Sequence, residues 1–116
     1  MDAMKKQRLT AAGIDVDDAL ARFMGNEALL ERMLTKFAGD ANYARLQAAV
    51  EQQDAQAALQ ASHTLKGLAG NLSLSALTPL FTRQVELLRA GDAHGAFALL
   101  PEIDRAYRQA LDAIGA

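Results

Sequence analysis

His63 lies in a sequence that predicts a helix with one apolar face and one polar face. An α-helix turns about 100° per residue, so Lys66, Gly67 and Gly70 fall within about 60° of His63 on the helical wheel. Small and apolar residues fall on the far side, at Ala58, Ala61, Leu65, Leu68, Ala69 and Leu72. The spacing therefore predicts an imidazole that faces solvent beside a cation and a bare backbone. Such a surface suits a large anionic group and a docking partner.

A solvent-facing imidazole can act as a nucleophile. Near neutral pH a histidine in water is mostly uncharged, so one ring nitrogen keeps a lone pair. That nitrogen can attack an activated phosphoryl group and form a covalent phosphohistidine. Lys66, one turn further along, offers a cation to the resulting anion. Glycine in a helix costs about 1 kcal/mol relative to alanine. Gly67 and Gly70 therefore indicate a place where another protein's backbone approaches closely.

The surroundings of His63 do not favour a hydrolase or a metal enzyme. Its neighbours three and four positions away are Leu59, Gln60, Lys66 and Gly67. None is a carboxylate or a nucleophile, so a catalytic triad and a bundle metal site both lack their partners. The glycines lie inside a helical pattern rather than between a strand and a helix, which argues against ATP binding. We expect this chain to bind no metal and no cofactor.

Three further residues border the predicted docking surface, namely Gln56, Leu59 and Asn71. Gln56 and Leu59 lie near the histidine side of the helix, and Asn71 lies about 80° from it. An exposed leucine there would serve as an interface anchor. The second histidine, His94, lies at a predicted helix start, and we interpret it as a surface residue.

Composition limits the class of protein. The chain has 116 residues, of which 51% are hydrophobic and 5% aromatic, with two prolines and no cysteine. These values favour one helical domain and exclude thiolate chemistry. The net charge of −2 argues against nucleic-acid binding. No apolar run approaches the roughly 20 residues that span a bilayer, and no signal peptide is apparent. We expect a cytoplasmic protein with no membrane partner, and the sequence leaves open whether it is free-standing or a domain of a larger sensor protein.

Capping residues divide the chain into predicted helices. Helix starts are predicted at Asp15, Asn26, Asp40, Asp54 and Asp92, and helix ends at Gly25, Gly39 and Gly91. Ser73 and Thr78 are alternative starts for the helix after the His63 helix. Pro101 lies inside the last helical pattern and predicts a kink there.

Short loops between amphipathic helices predict an all-α fold, an antiparallel up-and-down four-helix bundle with short N-terminal capping helices. The bundle domain is predicted for residues 13–116, after a polar lead-in over 1–12 that frays at its start. Methionines and aromatic residues at helical spacing favour core packing over a cofactor site. They are Phe23, Met24, Met33, Phe37, Phe81, Phe97 and Tyr107. Because one bundle uses these apolar faces, we expect a monomer.

The run from His63 to Ala69, His-Thr-Leu-Lys-Gly-Leu-Ala, resembles the signature of histidine phosphotransfer (HPt) domains. In that family, His-x-Leu-Lys-Gly-x-Ala/Ser surrounds the phosphorylated histidine. A weaker resemblance extends from about Ala12 to the C-terminus. The chain departs from the pattern in three places. Ser62 stands where alanine is common, Ser73 stands where many members have glycine, and Thr78-Pro79 lies early in the helix after the site.

The resemblance implies that His63 accepts the phosphoryl group on Nε2, that Lys66 stabilises it and that Gly67 leaves room for the partner. The phosphoryl group would pass between His63 and aspartates of response regulator receiver domains, with a hybrid sensor histidine kinase upstream. The receiver would supply Mg²⁺. The chain would thus be a carrier in a multistep two-component phosphorelay, without ATP-dependent kinase activity. The alternative is a helical adaptor that binds a receiver or histidine kinase without being phosphorylated.

Overall fold

The computed structural model describes residues 1–115, which form eight α-helices and no strands. The helices are α1 Ala3–Ala11, α2 Val16–Arg22, α3 Glu27–Ala38, α4 Asn42–Glu51, α5 Ala55–Asn71, α6 Thr78–Arg89, α7 Ala93–Ala98 and α8 Leu100–Ile114. Short connections join them, as the sequence predicts.

Side-chain caps set most of the helix starts. Four predicted caps each accept a hydrogen bond from the backbone N–H three residues later, at Asp15, Asn26, Asp54 and Asp92. Asp40 lies one residue before the N-cap of α4, which is Ala41. Its carboxylate still accepts a hydrogen bond from the Asn42 backbone N–H, at 2.8 Å. The local capping chemistry therefore predicts these starts to within one residue.

Helix α5 packs against both α4 and α6, and short loops make the successive helices antiparallel. Helix α8 packs against α1 and α3. On α8, Tyr107 stacks on Tyr43 of α4, with the ring centroids 3.7 Å apart, and meets Phe37 of α3 edge to face. One continuous core joins these helices. The predicted all-α bundle is confirmed.

The N-terminal segment folds as part of the molecule, so the expectation that its start is frayed is wrong. Asp2 caps α1, Leu9 is completely buried, and α1 packs on α8. The amino group of Met1 lies 2.8 Å from the Glu27 carboxylate. The mostly polar sequence of α1 does not predict this packing, because Leu9 is the one residue of α1 that is buried. The domain boundary at residue 13 remains a prediction.

Both prolines begin helices. Pro79 lies in the first turn of α6, so Thr78 rather than Ser73 is the start that the fold uses. Pro101 lies in the first turn of α8, and Leu99 separates α7 from α8. The predicted kinked helix is therefore wrong. Proline lacks the N–H that a helix interior needs, but a first turn leaves that group unbonded in any case.

The turn before α2 and the loop after α5 are joined by hydrogen bonds. The backbone N–H of Asp15 donates to the Ser73 carbonyl at 2.9 Å, and that of Ala76 donates to the Gly13 carbonyl at 3.0 Å. The Ser73 hydroxyl also donates to the Asp18 carboxylate. Ser73 has a φ of +54°, a conformation that glycine adopts most easily. These bonds attach α2 to the C-terminal end of α5.

Candidate functional site

His63 lies on the outward face of α5, the longest helix of the described residues. Its side chain is exposed, and within residues 1–115 the imidazole has no hydrogen bond or ion pair. On the opposite side of α5, Ala58, Leu65 and Ala69 are completely buried. The predicted division of this helix into a buried and an exposed face is thus confirmed.

Lys66 follows His63 by one turn of α5, and its side chain is half-buried. The ion pairs found among residues 1–115 do not include it. A lysine lays its aliphatic stem along the helix surface while its ammonium stays in water. Lys66 therefore holds a positive charge beside His63 that no carboxylate of residues 1–115 pairs with.

Gly67 and Gly70 leave open space on the same face. A Cβ added at either position would meet no heavy atom within 4 Å, and neither residue has a positive φ. The fold therefore needs glycine at neither position, although each glycine weakens the helix by about 1 kcal/mol relative to alanine. The effect of the two glycines is to leave the helix backbone beside His63 without side chains that would block a partner.

The other predicted interface residues are distributed along α5. Gln56 and Asn71 are exposed near the two ends of the helix. Leu59 is half-buried and packs against the core, so only part of it is available as an anchor. Ser62 is buried, and its hydroxyl donates to the Ala58 carbonyl at 2.7 Å, which satisfies a polar group where alanine is common. His94 is exposed on α7, on a different helix from His63.

A groove of about 550 Å³ lies between α2, α3 and the C-terminal end of α5. We call it the α2–α3 groove. Its apolar floor consists of Phe23, Met33, Phe37, Leu68 and Leu72. Its polar rim consists of Arg22, Lys36, Asp40 and Asn71. A second groove, about 520 Å³, separates α4 from α5 and is lined by small and polar residues that include Arg45 and Gln60.

Sequence reasoning missed the α2–α3 groove because it assigned the groove's apolar residues to the core. Phe23 and Met33 are only half-buried, and Met24 is 95% exposed, so the core assignment of Met24 is wrong. One feature of the sequence indicates that Met24 could be exposed. Gly25, with a φ of +77°, ends the α2 segment and turns the chain directly after Met24.

Two further properties concern residues 1–115 as a whole. Nowhere in this range do three histidine, aspartate or glutamate side chains lie close enough together to hold a metal ion. No helix in the same range has the length and hydropathy of a membrane span.

The chain is similar to a known family over most of its length. The sequence model of the family described as Hpt domain matches residues 28–116. This range includes all of α5 and every predicted site residue, and it leaves α1 and α2 outside. No curated protein and no solved structure matches the chain.

Proposed function

Because the chain belongs to the Hpt domain family, we propose that it carries a phosphoryl group on His63 between aspartates of receiver domains in a multistep phosphorelay. Family membership gives the histidine phosphotransfer role in general. The observation that carries the assignment to this residue is the exposed imidazole of His63, which has no partner within residues 1–115 and lies inside the HPt-like signature on α5.

The proposed reaction moves one phosphoryl group from oxygen to nitrogen. The lone pair of His63 Nε2 attacks the phosphorus of an aspartyl phosphate on the receiver. The N–P bond forms as the P–O bond to the aspartate breaks, and the carboxylate leaves with the electron pair. The reverse step returns the phosphoryl group to an aspartate. This chain brings no metal or nucleotide to the reaction, and the receiver supplies Mg²⁺ to its own acidic site.

Lys66 and the glycines have complementary parts in this proposal. The ammonium of Lys66 stabilises the charge that the phosphoryl group brings to His63. Gly67 and Gly70 let the receiver backbone come close enough for in-line attack. Gln56, Leu59 and Asn71 would contact the receiver around the reacting groups.

The experiment is phosphoryl transfer from a panel of aspartyl-phosphorylated receiver domains, with His63→Gln and His94→Gln run beside the native chain. The chain has only two histidines, so each variant is the matched control of the other. We expect acid-labile, base-stable label on the native chain and on His94→Gln, and none on His63→Gln. Full labelling of His63→Gln would show that the site assignment is wrong. Receiver binding without transfer to the native chain would favour the adaptor.

Lys66 is tested in the same assay. Lys66→Ala removes the cation from a half-buried surface position, so we expect slower transfer and an unchanged fold, with Lys66→Arg retaining most of the rate. The measurement is the transfer rate at saturating receiver, together with urea unfolding of each variant. Equal rates for Lys66→Ala and the native chain would remove Lys66 from the site.

A further inference from the structure

A third groove lies between α4 and α8, and no residue of α5 lines it. It encloses about 520 Å³, within the range of about 300–1,000 Å³ that is typical of ligand pockets. The N-terminal half of α4, the C-terminal half of α8 and Asp40, which precedes α4, form its walls. We call it the α4–α8 groove. The lining residues with polar or charged groups include Asp40, Tyr43, Tyr107, Arg108 and Asp112.

Two stacked tyrosines form the aromatic part of the α4–α8 groove. The ring centroids of Tyr43 and Tyr107 are 3.7 Å apart, and their planes differ by 13°. The Tyr43 hydroxyl donates to the Asp104 carboxylate at 2.7 Å, so this group is used within the fold. The Tyr107 hydroxyl has no hydrogen-bond partner within residues 1–115, although only 7% of the residue is exposed. The two tyrosines thus differ in the state of their hydroxyls.

The free hydroxyl of Tyr107 opens into the groove. Among residues 1–115, the side-chain atom that is both fully buried and unbonded is Oε1 of Gln84, so the Tyr107 hydroxyl keeps some access to solvent. Because Tyr107 lines the groove, this access is from the groove. Burial and the negative charge of Asp40 raise the pKa of Tyr107, so the hydroxyl keeps its proton at neutral pH. Its oxygen remains available to accept a hydrogen bond from a ligand.

The α4–α8 groove also has an excess of negative charge. Within residues 1–115, Arg108 is the basic residue that lines it, and Nε of Arg108 donates to Asp104 at 2.8 Å. Asp40 and Asp112 line the groove and take part in none of the ion pairs found in this range. Both N–H groups of Asn42 donate to Oδ1 of Asp40, so Oδ2 is left to accept from a ligand. The groove therefore complements a cation.

The chemistry of the groove suits a guanidinium better than an ammonium. A guanidinium has five N–H donors in one plane, stacks on aromatic rings and is more weakly hydrated than an ammonium. The groove offers it aromatic rings, a hydroxyl oxygen and two carboxylates. It runs along residues 43–47 of α4, about 6 Å of helix axis, which is the length of about two residues of extended chain. A short peptide segment with an arginine fits this extent.

We propose that the α4–α8 groove is a docking site for an arginine-containing segment of a partner protein. The guanidinium donates to the Tyr107 hydroxyl oxygen and to the Asp40 carboxylate, while Asp112 adds negative charge at the α8 side. No residue proposed for phosphoryl transfer lines the groove, so this segment and a receiver over His63 do not compete for the same residues. The inference is independent of the proposed phosphotransfer function.

The first test measures binding of a capped peptide with one arginine between two glycines. The matched control carries citrulline, which has the shape of arginine without its charge. Each peptide is titrated into the nitrogen-15-labelled chain, and backbone amide shifts are followed by NMR. We expect the arginine peptide to shift the amides of Gln47 and Leu111, which line the groove, and to bind about fivefold more tightly than the citrulline peptide. High salt should reduce this difference.

Three results of the titration would overturn the proposal. They are equal binding of the two peptides, shifts confined to residues outside the groove, and absence of shifts at about 10 mM arginine peptide, ten times a millimolar dissociation constant.

The second test removes single groups from the groove. Tyr107→Phe deletes only the hydroxyl, and we expect about fivefold weaker binding of the arginine peptide with no loss of stability in urea unfolding. Asp112→Asn should also weaken binding, whereas Glu102→Gln, the same change at an exposed position of α8 outside the groove, should not. Native affinity in Tyr107→Phe, or equal effects of the two charge removals, would contradict the assignment.

A further control separates the groove from the His63 site. Phosphoramidate is a small phosphoryl donor that needs no docking, so it should label the native chain, Tyr107→Phe and Asp112→Asn equally. Peptide binding without labelling of His63 would remove the phosphotransfer function and keep the groove. Labelling without peptide binding would remove only the groove. Slower labelling of the two groove variants would overturn the independence of the two sites.

Discussion

Gly13 and Gly67 show how differently two glycines serve this molecule. At Gly13, φ is +86°, and an added Cβ would overlap the Cβ of Ala76 in the loop after α5. At Gly67, φ is helical and an added Cβ would meet nothing within 4 Å. The first glycine is required by backbone conformation and close packing. The second is required by nothing within the described fold. Its role is therefore to be sought in a partner that contacts α5 from outside.

The largest effect should come from Gly13→Ala. The substitution forces a side chain into a left-handed backbone and against Ala76, so we expect the free energy of unfolding to fall by about 3 kcal/mol. Urea unfolding of the variant beside the native chain measures it. A loss below about 1 kcal/mol would mean that the turn relaxes easily and that Gly13 is not structurally required.

The same substitution at Gly67 should change the free energy of unfolding in the opposite direction. Alanine is a better helix former and the space is open, so Gly67→Ala should raise the free energy of unfolding by about 1 kcal/mol. Transfer from a receiver should nevertheless slow, because in the proposed complex the added methyl group lies where the receiver approaches. Labelling by phosphoramidate is the control and should not change. A Gly67→Ala variant that is more stable and transfers at the native rate would contradict the claim that Gly67 serves the approach of a partner.

Ser73 is the intermediate case, a left-handed position filled by a residue with a side chain. Ser73→Gly loses the hydroxyl bond to Asp18 but relieves the backbone, whereas Ser73→Ala loses the bond and keeps the strain. We expect the glycine variant to be about 1 kcal/mol more stable than the alanine variant in urea unfolding. Equal stabilities would show that this φ costs the serine nothing.

The smallest effect concerns pH. The Ser73 hydroxyl and the Arg22 guanidinium hold the pKa of Asp18 below its ordinary value. A carboxylate whose pKa is lower in the folded state stabilises the fold above its unfolded pKa, and this contribution is lost as the pH falls through the folded pKa. The stability difference between the native chain and Asp18→Asn should therefore be present at about pH 6 and disappear progressively below about pH 4. Because Asp18 is exposed, the difference is small. A difference independent of pH would exclude the charged carboxylate as its source.

Features that depend on neighbouring residues in the sequence could be predicted. The side chains of Asp15, Asn26 and Asp54 accept hydrogen bonds from N–H groups three residues away. Both partners therefore lie in one short stretch of sequence, and the cap can be predicted from it. The orientation of His63 follows in the same way, because the helical turn alone places it opposite Leu65. The glycines on that face were equally visible, but only the structure shows that they are sterically unnecessary.

Features that depend on distant parts of the chain could not be predicted. Helix α1, which carries the buried Leu9, packs on the distant helix α8, and the α2–α3 groove requires three helices to meet. Met24 has an apolar side chain, and its exposure follows from the backbone at the end of α2 rather than from its residue type. For Pro101 the sequence predicts a kink inside one helix, whereas the structure begins a new helix, α8, at that point.

The most direct measurement is the nitrogen-15 NMR spectrum of the histidine-labelled chain before and after phosphorylation by a receiver. The chain contains two histidines, so the spectrum reports two imidazoles that can be assigned with His94→Gln. We predict that Nε2 of His63 shifts and couples to phosphorus while the His94 imidazole stays unchanged. Incorporation of phosphate with an unchanged His63 imidazole would contradict the assignment of α5 as the phosphotransfer site.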